Sequence, residues 1–279
     1  MKKKSKIKNQ PVADKITFIG AGNMAEAMVR GILKTGIYRP GNIIVTDIDT
    51  RRLDFFQHKL GIKGSTNNQE AASTAGVIVL AVKPQQALQA LDEMRGHLPP
   101  HPLLISIVTG WTTGKISTCL GQPARIIRVV PNTPALVGSG ASAYCCGKGT
   151  TEKDRRLAEK ILESIGVVIR IDEQLMNAAT ALSGSGPAYV FYLMEALLQA
   201  GQEMGLPAEA ARLLTVATIA GAACLQAKTG LPPEELRRRV TSRGGTTEAA
   251  VKILDRGKTR QTIIAAVKAA HKRARELSA

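Results

Sequence analysis

The sequence predicts an α/β chain in two parts: a parallel sheet covered by helices, then an all-helical domain. Three observations predict it. Between residues 15 and 171, near-continuous Val/Ile/Leu runs alternate with amphipathic stretches, the pattern of strands buried on both faces with helices packed over them. A glycine-rich turn joins the first such strand to the first helix. After Asp172 the strand signal stops.

The elements follow in order. Residues 15–20 (KITFIG) read as a strand and 22–34 as a helix. A second strand and helix cover 42–47 (NIIVTD) and 50–60, and an apolar strand at 76–82 leads into a helix from 85 to about 95. Strands at 103–108 and 125–130 flank a helix over 113–120, and a helix at 152–164 precedes a last strand at 166–171. Beyond Asp172, helices are expected at 175–182, 187–204, 207–228, 232–240, 246–255 and 259–277. Pro187, Pro207 and Pro232 suit helix starts, where a missing N–H costs little. Gly205 and Gly230 suit helix ends. The expected division is a basic disordered tail at 1–14, a dinucleotide-type sheet domain at 15–172 and a helical domain at 173–279. In the helical domain, 217–223 is a run of small residues (ATIAGAA). Such a run permits close helix approach, either within the chain or across a dimer interface.

Charge narrows the function classes. The chain has 279 residues, 38 Lys+Arg and 22 Asp+Glu, a formal net charge of +16. Such an excess suggests nucleic acid or an acidic membrane. Yet the five lysines Lys2, Lys3, Lys4, Lys6 and Lys8 and the twelve basic residues of 237–279 carry nearly all of it. The body between is almost neutral. No aromatic residue occurs in 193–279, so that basic segment has no base-stacking platform. The N-terminus lacks the apolar core of a signal peptide. The longest uncharged stretch, 174–194, contains the run SGSGP, which breaks a spanning helix. The four cysteines show no CxxC spacing and the four histidines no ligand spacing, so no metal is expected and the thiols read as reduced, as in a cytoplasmic protein.

Gly20-Ala21-Gly22-Asn23-Met24-Ala25 matches G-x-G-x-x-G/A between a strand and a helix, the context that gives this pattern meaning. Gly20 allows the tight turn, Gly22 lets backbone approach a pyrophosphate, and Ala25 permits close helix–strand packing. The helix N-terminus offers free N–H groups to phosphates. The first domain is therefore Rossmann-type. Asp47 ends the second strand, where an acid accepts ribose hydroxyls and repels a 2′-phosphate, which favours NADH. Arg51 and Arg52 follow one turn later and could neutralise that phosphate. The choice between NADPH and NADH stays open, with Asp47 weighing toward NADH. Ala81-Val82-Lys83-Pro84 ends the next strand at the ligand-binding edge.

Two further loops are unusual: Pro131-Asn132-Thr133-Pro134 after a strand, and Ser183-Gly184-Ser185-Gly186-Pro187-Ala188-Tyr189 before the longest helix. A third, 240–248, sets glycines beside the hydroxyls of Ser242, Thr246 and Thr247 at a helix start. That suits a small anion such as a carboxylate. The competing expectation is that Ser242 or Thr246 simply caps the helix.

FIGAGNMA at 18–25, AVKP at 81–84, PNTP at 131–134, ALSGSGPAY at 181–189 and VTSRGGTTEAA at 240–250 together resemble the Δ1-pyrroline-5-carboxylate reductase family. The motifs run in the family's order over most of the chain. The resemblance implies a Rossmann domain joined to a helical dimerisation domain, with dimers that commonly assemble into decamers. It implies reduction of 1-pyrroline-5-carboxylate to L-proline with NADPH or NADH, the last step of proline biosynthesis. By position in the motifs, Ile19, Gly20, Ala21, Gly22, Asn23, Met24, Asp47, Asn68, Ala81, Val82, Lys83, Pro84, Ile107, Val108 and Thr109 fall at cofactor positions. Ser242, Gly245, Thr246 and Thr247 fall at substrate positions, and Glu173 aligns with a substrate-side acid. Thr247 is the candidate catalytic hydroxyl, beside the imine nitrogen. Two departures stand out: Arg243 where family members often have Pro, and Arg239 where some have Asn.

The other readings are a reductase of another cyclic imine, a β-hydroxyacid dehydrogenase-like enzyme and, remotely, a nucleic-acid-binding protein. The second needs a catalytic lysine on the long helix, and 187–205 contains none. The expected partners are the small-molecule substrate and further copies of the chain, with no nucleic acid and no membrane.

Overall fold

The computed structural model describes residues 15–278; the basic tail expected at 1–14 lies outside the described residues. Among the described residues there are eight strands: β1 Ile16–Ile19, β2 Ile43–Thr46, β3 Lys63–Ser65, β4 Val77–Leu80, β5 Leu103–Ser106, β6 Arg125–Val130, β7 Gly140–Cys146 and β8 Gly166–Arg170. They form one sheet in the order β3-β2-β1-β4-β5-β6-β7-β8. All neighbours are parallel except β6 and β7, which are antiparallel.

Period-2 burial explains the apolar runs. Ile16, Phe18, Val77, Val79, Leu103 and Ile105 face one core; Ile19, Ile78, Leu80 and Leu104 face the other. Both faces are covered, so the central strands are apolar at most positions, with buried exceptions such as Thr17, whose hydroxyl donates to the Ala71 carbonyl. The helices of this part are α1 Asn23–Thr35, α2 Thr50–Leu60, α3 Asn68–Ser73, α4 Ala87–Met94, α5 Thr113–Leu120, α6 Glu152–Glu163 and α7 Met176–Ala179. Met28 and Ile32 of α1, Phe56 of α2 and Ile161 of α6 complete the first core. Leu91 and Met94 of α4 and Ile116 of α5 complete the second. Side-chain caps start several of them: Asp49 accepts from Arg51 N, Asn67 from Glu70 N and Thr112 from Lys115 N. Thr151 and Asp154 form a reciprocal capping box on α6.

The sequence reading omits β3, α3 and β7. β3 has only three residues, two of them Gly and Ser. β7 reads GASAYCC, mostly small residues without the Val/Ile run that marks a strand. The segment expected as one helix at 175–182 is instead a 3₁₀ turn at Glu173–Leu175, then α7, then a π-helical turn at Thr180–Gly184. Ser185 N donates to Thr180 O at 2.8 Å within it.

The remaining helices are α8 Gly186–Glu203, α9 Ala208–Thr229, α10 Pro233–Arg239, α11 Thr246–Arg256 and α12 Thr259–Ser278. The chain forms two compact units. The first ends at Ser185 and takes in the residues from His271 onward; the second is Gly186–Ala270. Within the second, α8 and α9 form a hairpin in which Gly201 faces Ala211. The small-residue stretch at 217–223 is mostly exposed, as are Phe191 and Tyr192 of α8. One helix among the described residues, α9, is long and apolar enough to cross a membrane by length and composition.

Candidate functional site

The sheet reverses direction of growth between β1 and β4, and ligands of such sheets bind at the carboxyl ends of the strands there. A cleft of about 360 Å³ lies at that point. Gly20, Gly22, Thr46, Asp47, Asn68, Ala81, Val82 and Lys83 line it, with Ile48, Asp49, Thr66, Gln86, Gln89, Ala90 and Glu93.

The β1–α1 turn shapes one wall. Gly20 has φ +101°, and a Cβ there would lie 2.7 Å from the Ala81 carbonyl oxygen. Only glycine fits both constraints. Gly22 is the N-cap of α1 and supplies no side-chain acceptor, so the first-turn N–H groups stay open to a ligand. A Cβ on Gly22 would meet no atom within 4 Å, so the backbone there is bare. Ala25 is fully buried against the sheet. The cleft therefore fits a dinucleotide.

Asp47 fastens this wall. Its Oδ2 accepts the Ala21 N–H at 2.8 Å, and its Oδ1 accepts the Asp49 N–H at 2.9 Å. Arg52 Nε donates to the Ala21 carbonyl at 2.7 Å, and its Nη2 to Glu26 at 3.0 Å. Burial raises the Glu26 pKa, but hydrogen bonds from Arg52 and Arg30 outweigh it and hold the carboxyl below its usual range. Arg51 pairs with Asp49 at 2.9 Å. Opposite, Thr46 Oγ1 donates to Asn68 Oδ1 at 2.5 Å, and Asn68 Nδ2 donates to Glu93 at 2.6 Å.

Of the expected cofactor residues, Gly20, Gly22, Asp47, Asn68, Ala81, Val82 and Lys83 line the cleft. Ile19 and Ala21 are buried beneath the turn, and Asn23 and Met24 form the first turn of α1. Pro84 opens a 3₁₀ turn at Pro84–Gln86. Ile107, Val108 and Thr109 follow β5 without lining this cleft, and of the three only Thr109 is exposed. Sequence reasoning missed the α4 side: Gln86, Gln89, Ala90 and Glu93 recur at intervals of three and four, the signature of one helix face.

Glu173 belongs to the first unit. It accepts the Thr113 N–H at 2.7 Å and the Thr113 hydroxyl at 2.6 Å, at the N-terminus of α5. Arg128, buried in β6, donates to it at 3.5 Å and to Asn177 at 3.4 Å. Two of the singled-out loops also meet: Asn132 Nδ2 donates to the Ser183 carbonyl at 3.1 Å, while its Oδ1 accepts the Ala141 N–H at 2.8 Å.

Ser242, Gly245, Thr246 and Thr247 belong to the second unit, at the start of α11. Neither Ser242 nor Thr246 caps the helix; the N-cap is Gly245, with no side-chain acceptor. The capping expectation is thereby corrected, because the turn is closed from within. Gly245 N donates to Ser242 O at 3.1 Å, and Gly244 N donates to Glu248 Oε2 at 2.8 Å. That Gly244 N–H, aided by Lys252, holds the Glu248 carboxyl below its usual range. Thr247 is half-buried. Among the described residues no group of three or more His, Cys, Asp or Glu is placed to hold a metal ion.

Residues 173–277 match the family described as pyrroline-5-carboxylate reductase dimerisation. Residues 15–110 match the one described as NADP oxidoreductase, coenzyme F420-dependent. The pyrroline-5-carboxylate reductase of Arabidopsis thaliana is 40% identical over 265 residues, 95% of each chain. This chain belongs to the pyrroline-5-carboxylate reductase family. The solved pyrroline-5-carboxylate reductase of Coxiella burnetii superposes with a TM-score of 0.88 at 42% identity, over 95% of this chain and 99% of that one. The Plasmodium falciparum pyrroline carboxylate reductase with NADP bound gives 0.87 at 32%, over 95% and 98%. In this pyrroline-5-carboxylate reductase family member, the region matched as dimerisation contains the Ser242–Thr247 loop and the exposed faces of α8 and α9.

Proposed function

We propose that this chain reduces 1-pyrroline-5-carboxylate to L-proline with NADPH or NADH, the last step of proline biosynthesis. The observation that carries the reading is family membership over 95% of the chain, joined to a cleft that fits the coenzyme. Residues 15–172 form the dinucleotide-binding domain, and 173–279 serve substrate binding and dimerisation.

When bound, the nicotinamide supplies a hydride to the imine carbon. The chain's own groups do the rest. The bare N–H groups at the start of α1 and the Gly20–Gly22 backbone hold the pyrophosphate. Asp47, Asn68, Lys83 and the Ile107–Thr109 segment position the coenzyme's remaining parts. Backbone N–H groups at Gly245 and Thr246, with the Ser242 hydroxyl, hold the substrate carboxylate. The absence of a side-chain cap on α11 supports this for the first-turn N–H groups, which no side chain takes; the Gly245 N–H is shared with Ser242 O. Glu173 acts on the substrate side. Thr247 hydrogen-bonds the imine nitrogen and relays a proton from water to it, so that hydride and proton together convert C=N to CH–NH. Most of the rate comes from orienting the two reactants.

The chain acts as a cytoplasmic homodimer that assembles into decamers, without nucleic acid or membrane. The match to a dimerisation family and the exposed small-residue stretch of α9 support the dimer, with α9 as an interface helix rather than a span. The cysteines Cys119, Cys145, Cys146 and Cys224 are free, in keeping with a reducing compartment.

NAD(P)H oxidation with pyrroline-5-carboxylate, pyrroline-2-carboxylate and piperideine carboxylates tests the reading. Turnover of the first is expected; turnover of the others alone rejects the assigned substrate.

A further inference from the structure

We propose that this chain prefers NADH to NADPH and that Asp47 sets the preference. The proposal rests on the coenzyme reading above and runs against the NADP in the names of the matched oxidoreductase family and of the Plasmodium structure.

Asp47 lines the cleft directly after β2, where an acid meets the adenosine ribose in this fold class. Its two oxygens each take one backbone N–H, from Ala21 and Asp49. An ionised carboxylate has about four acceptor sites, so acceptor capacity remains for the ribose hydroxyls. The same two bonds stop the carboxylate from turning away. A 2′-phosphate, carrying nearly two negative charges at neutral pH, would meet a charge fixed in place.

Both nearby arginines already have partners elsewhere. Arg52 is held by the Ala21 carbonyl and Glu26, and its guanidinium stacks 4.9 Å from the Phe55 ring centroid. Arg51 grips Asp49 through Nε at 3.0 Å and Nη2 at 2.9 Å. Asp49 itself lines the cleft. Moving Arg51 to a phosphate would strip Asp49 of its partner and expose a second acid to the same phosphate. Glu93, a third acid on the wall, is bonded to the neutral side chains of Asn68 and Gln89. Among the described lining residues Lys83 is the one cation, and it follows β4 rather than β2.

The test is coenzyme binding to the full chain, read by nicotinamide fluorescence without imine, together with kcat/KM for each coenzyme on pyrroline-5-carboxylate. The wild type is expected to favour NADH by about tenfold or more, the equivalent of a like-charge cost of about 1.4 kcal/mol. Asp47→Asn removes the charge at constant size and is expected to bring the two coenzymes close to parity. Asp47→Ser serves if that variant folds poorly. Arg51→Ala is expected to leave the ratio where it was. Equal or tighter NADPH binding by the wild type overturns the proposal. So does a ratio unchanged in Asp47→Asn, or a selective loss of NADPH binding in Arg51→Ala. Selective NADH binding without imine reduction would sink the assigned reaction and leave the coenzyme preference standing.

Discussion

Gly110 stands against the main-chain carbonyl of Leu277, so close that a Cβ on it would lie 2.5 Å from that oxygen. The end of α12 is thus seated on the loop that follows β5, next to Val108 and Thr109. Ser278 Oγ adds a second tie, donating to Asn177 Oδ1 at 2.9 Å. Gly110 also has φ +81°. Gly110→Ala therefore meets both backbone strain and a main-chain clash, and is expected to lower unfolding free energy by about 1–3 kcal/mol. Urea denaturation measures it; unchanged stability would show that the end of α12 can move aside without cost.

The two glycines of the β1–α1 turn should respond differently. Gly22 has φ −72° and open space at Cβ, so Gly22→Ala should hold its stability within about 0.5 kcal/mol. If Gly22 meets the pyrophosphate as proposed, its new methyl intrudes there and coenzyme affinity should fall roughly tenfold, about 1.4 kcal/mol. Gly20→Ala should damage both stability and binding. Thermal melting with coenzyme titration separates the cases.

Thr247→Ala should lower kcat/KM for the imine by roughly 10²-fold, the lower range for a positioned proton donor, with coenzyme affinity unchanged. Thr247→Ser, which keeps the hydroxyl, should recover most of the loss. Full activity in the alanine variant would remove Thr247 from the chemistry.

The Glu248–Gly244 bond carries a pH signature. The Glu248 carboxyl is held below its ordinary value of 4.5 in the folded chain, so its contribution is complete above that value. It is lost as pH falls through the lower folded-state pKa. Wild type should melt above Glu248→Gln at neutral pH, and the gap should close below pH 4.5. A gap that persists in acid would mean the bond does not depend on the charge.

Several elements were legible residue by residue. The helix at Thr113–Leu120 and the strand at Arg125–Val130 stand where the sequence puts them, because each shows a clean period and a clear boundary. β7 was not legible, since its small residues carry no strand pattern and its antiparallel direction depends on pairing with β6. The π-helical turn at Thr180–Gly184 has no periodicity of its own. Of the cleft lining, Gly20, Gly22, Asp47 and Lys83 could be named from strand ends and the glycine pattern. The wall made by Gln86, Gln89 and Glu93 could not, because a helix face says nothing about which cavity it borders.

By itself the sequence determined most of the strands and helices in their order, the glycine-rich turn after β1, the change to all-helical chain after Asp172 and the motifs that mark the family. These are local features, written within a few residues of one another. Only the tertiary structure decided that Asp47 holds the Ala21 N–H, that Arg52 is locked on the carbonyl of that same residue, and that Leu277 closes on Gly110. Each joins segments distant in the chain, and it is the packing of the sheet and its helices that brings them together.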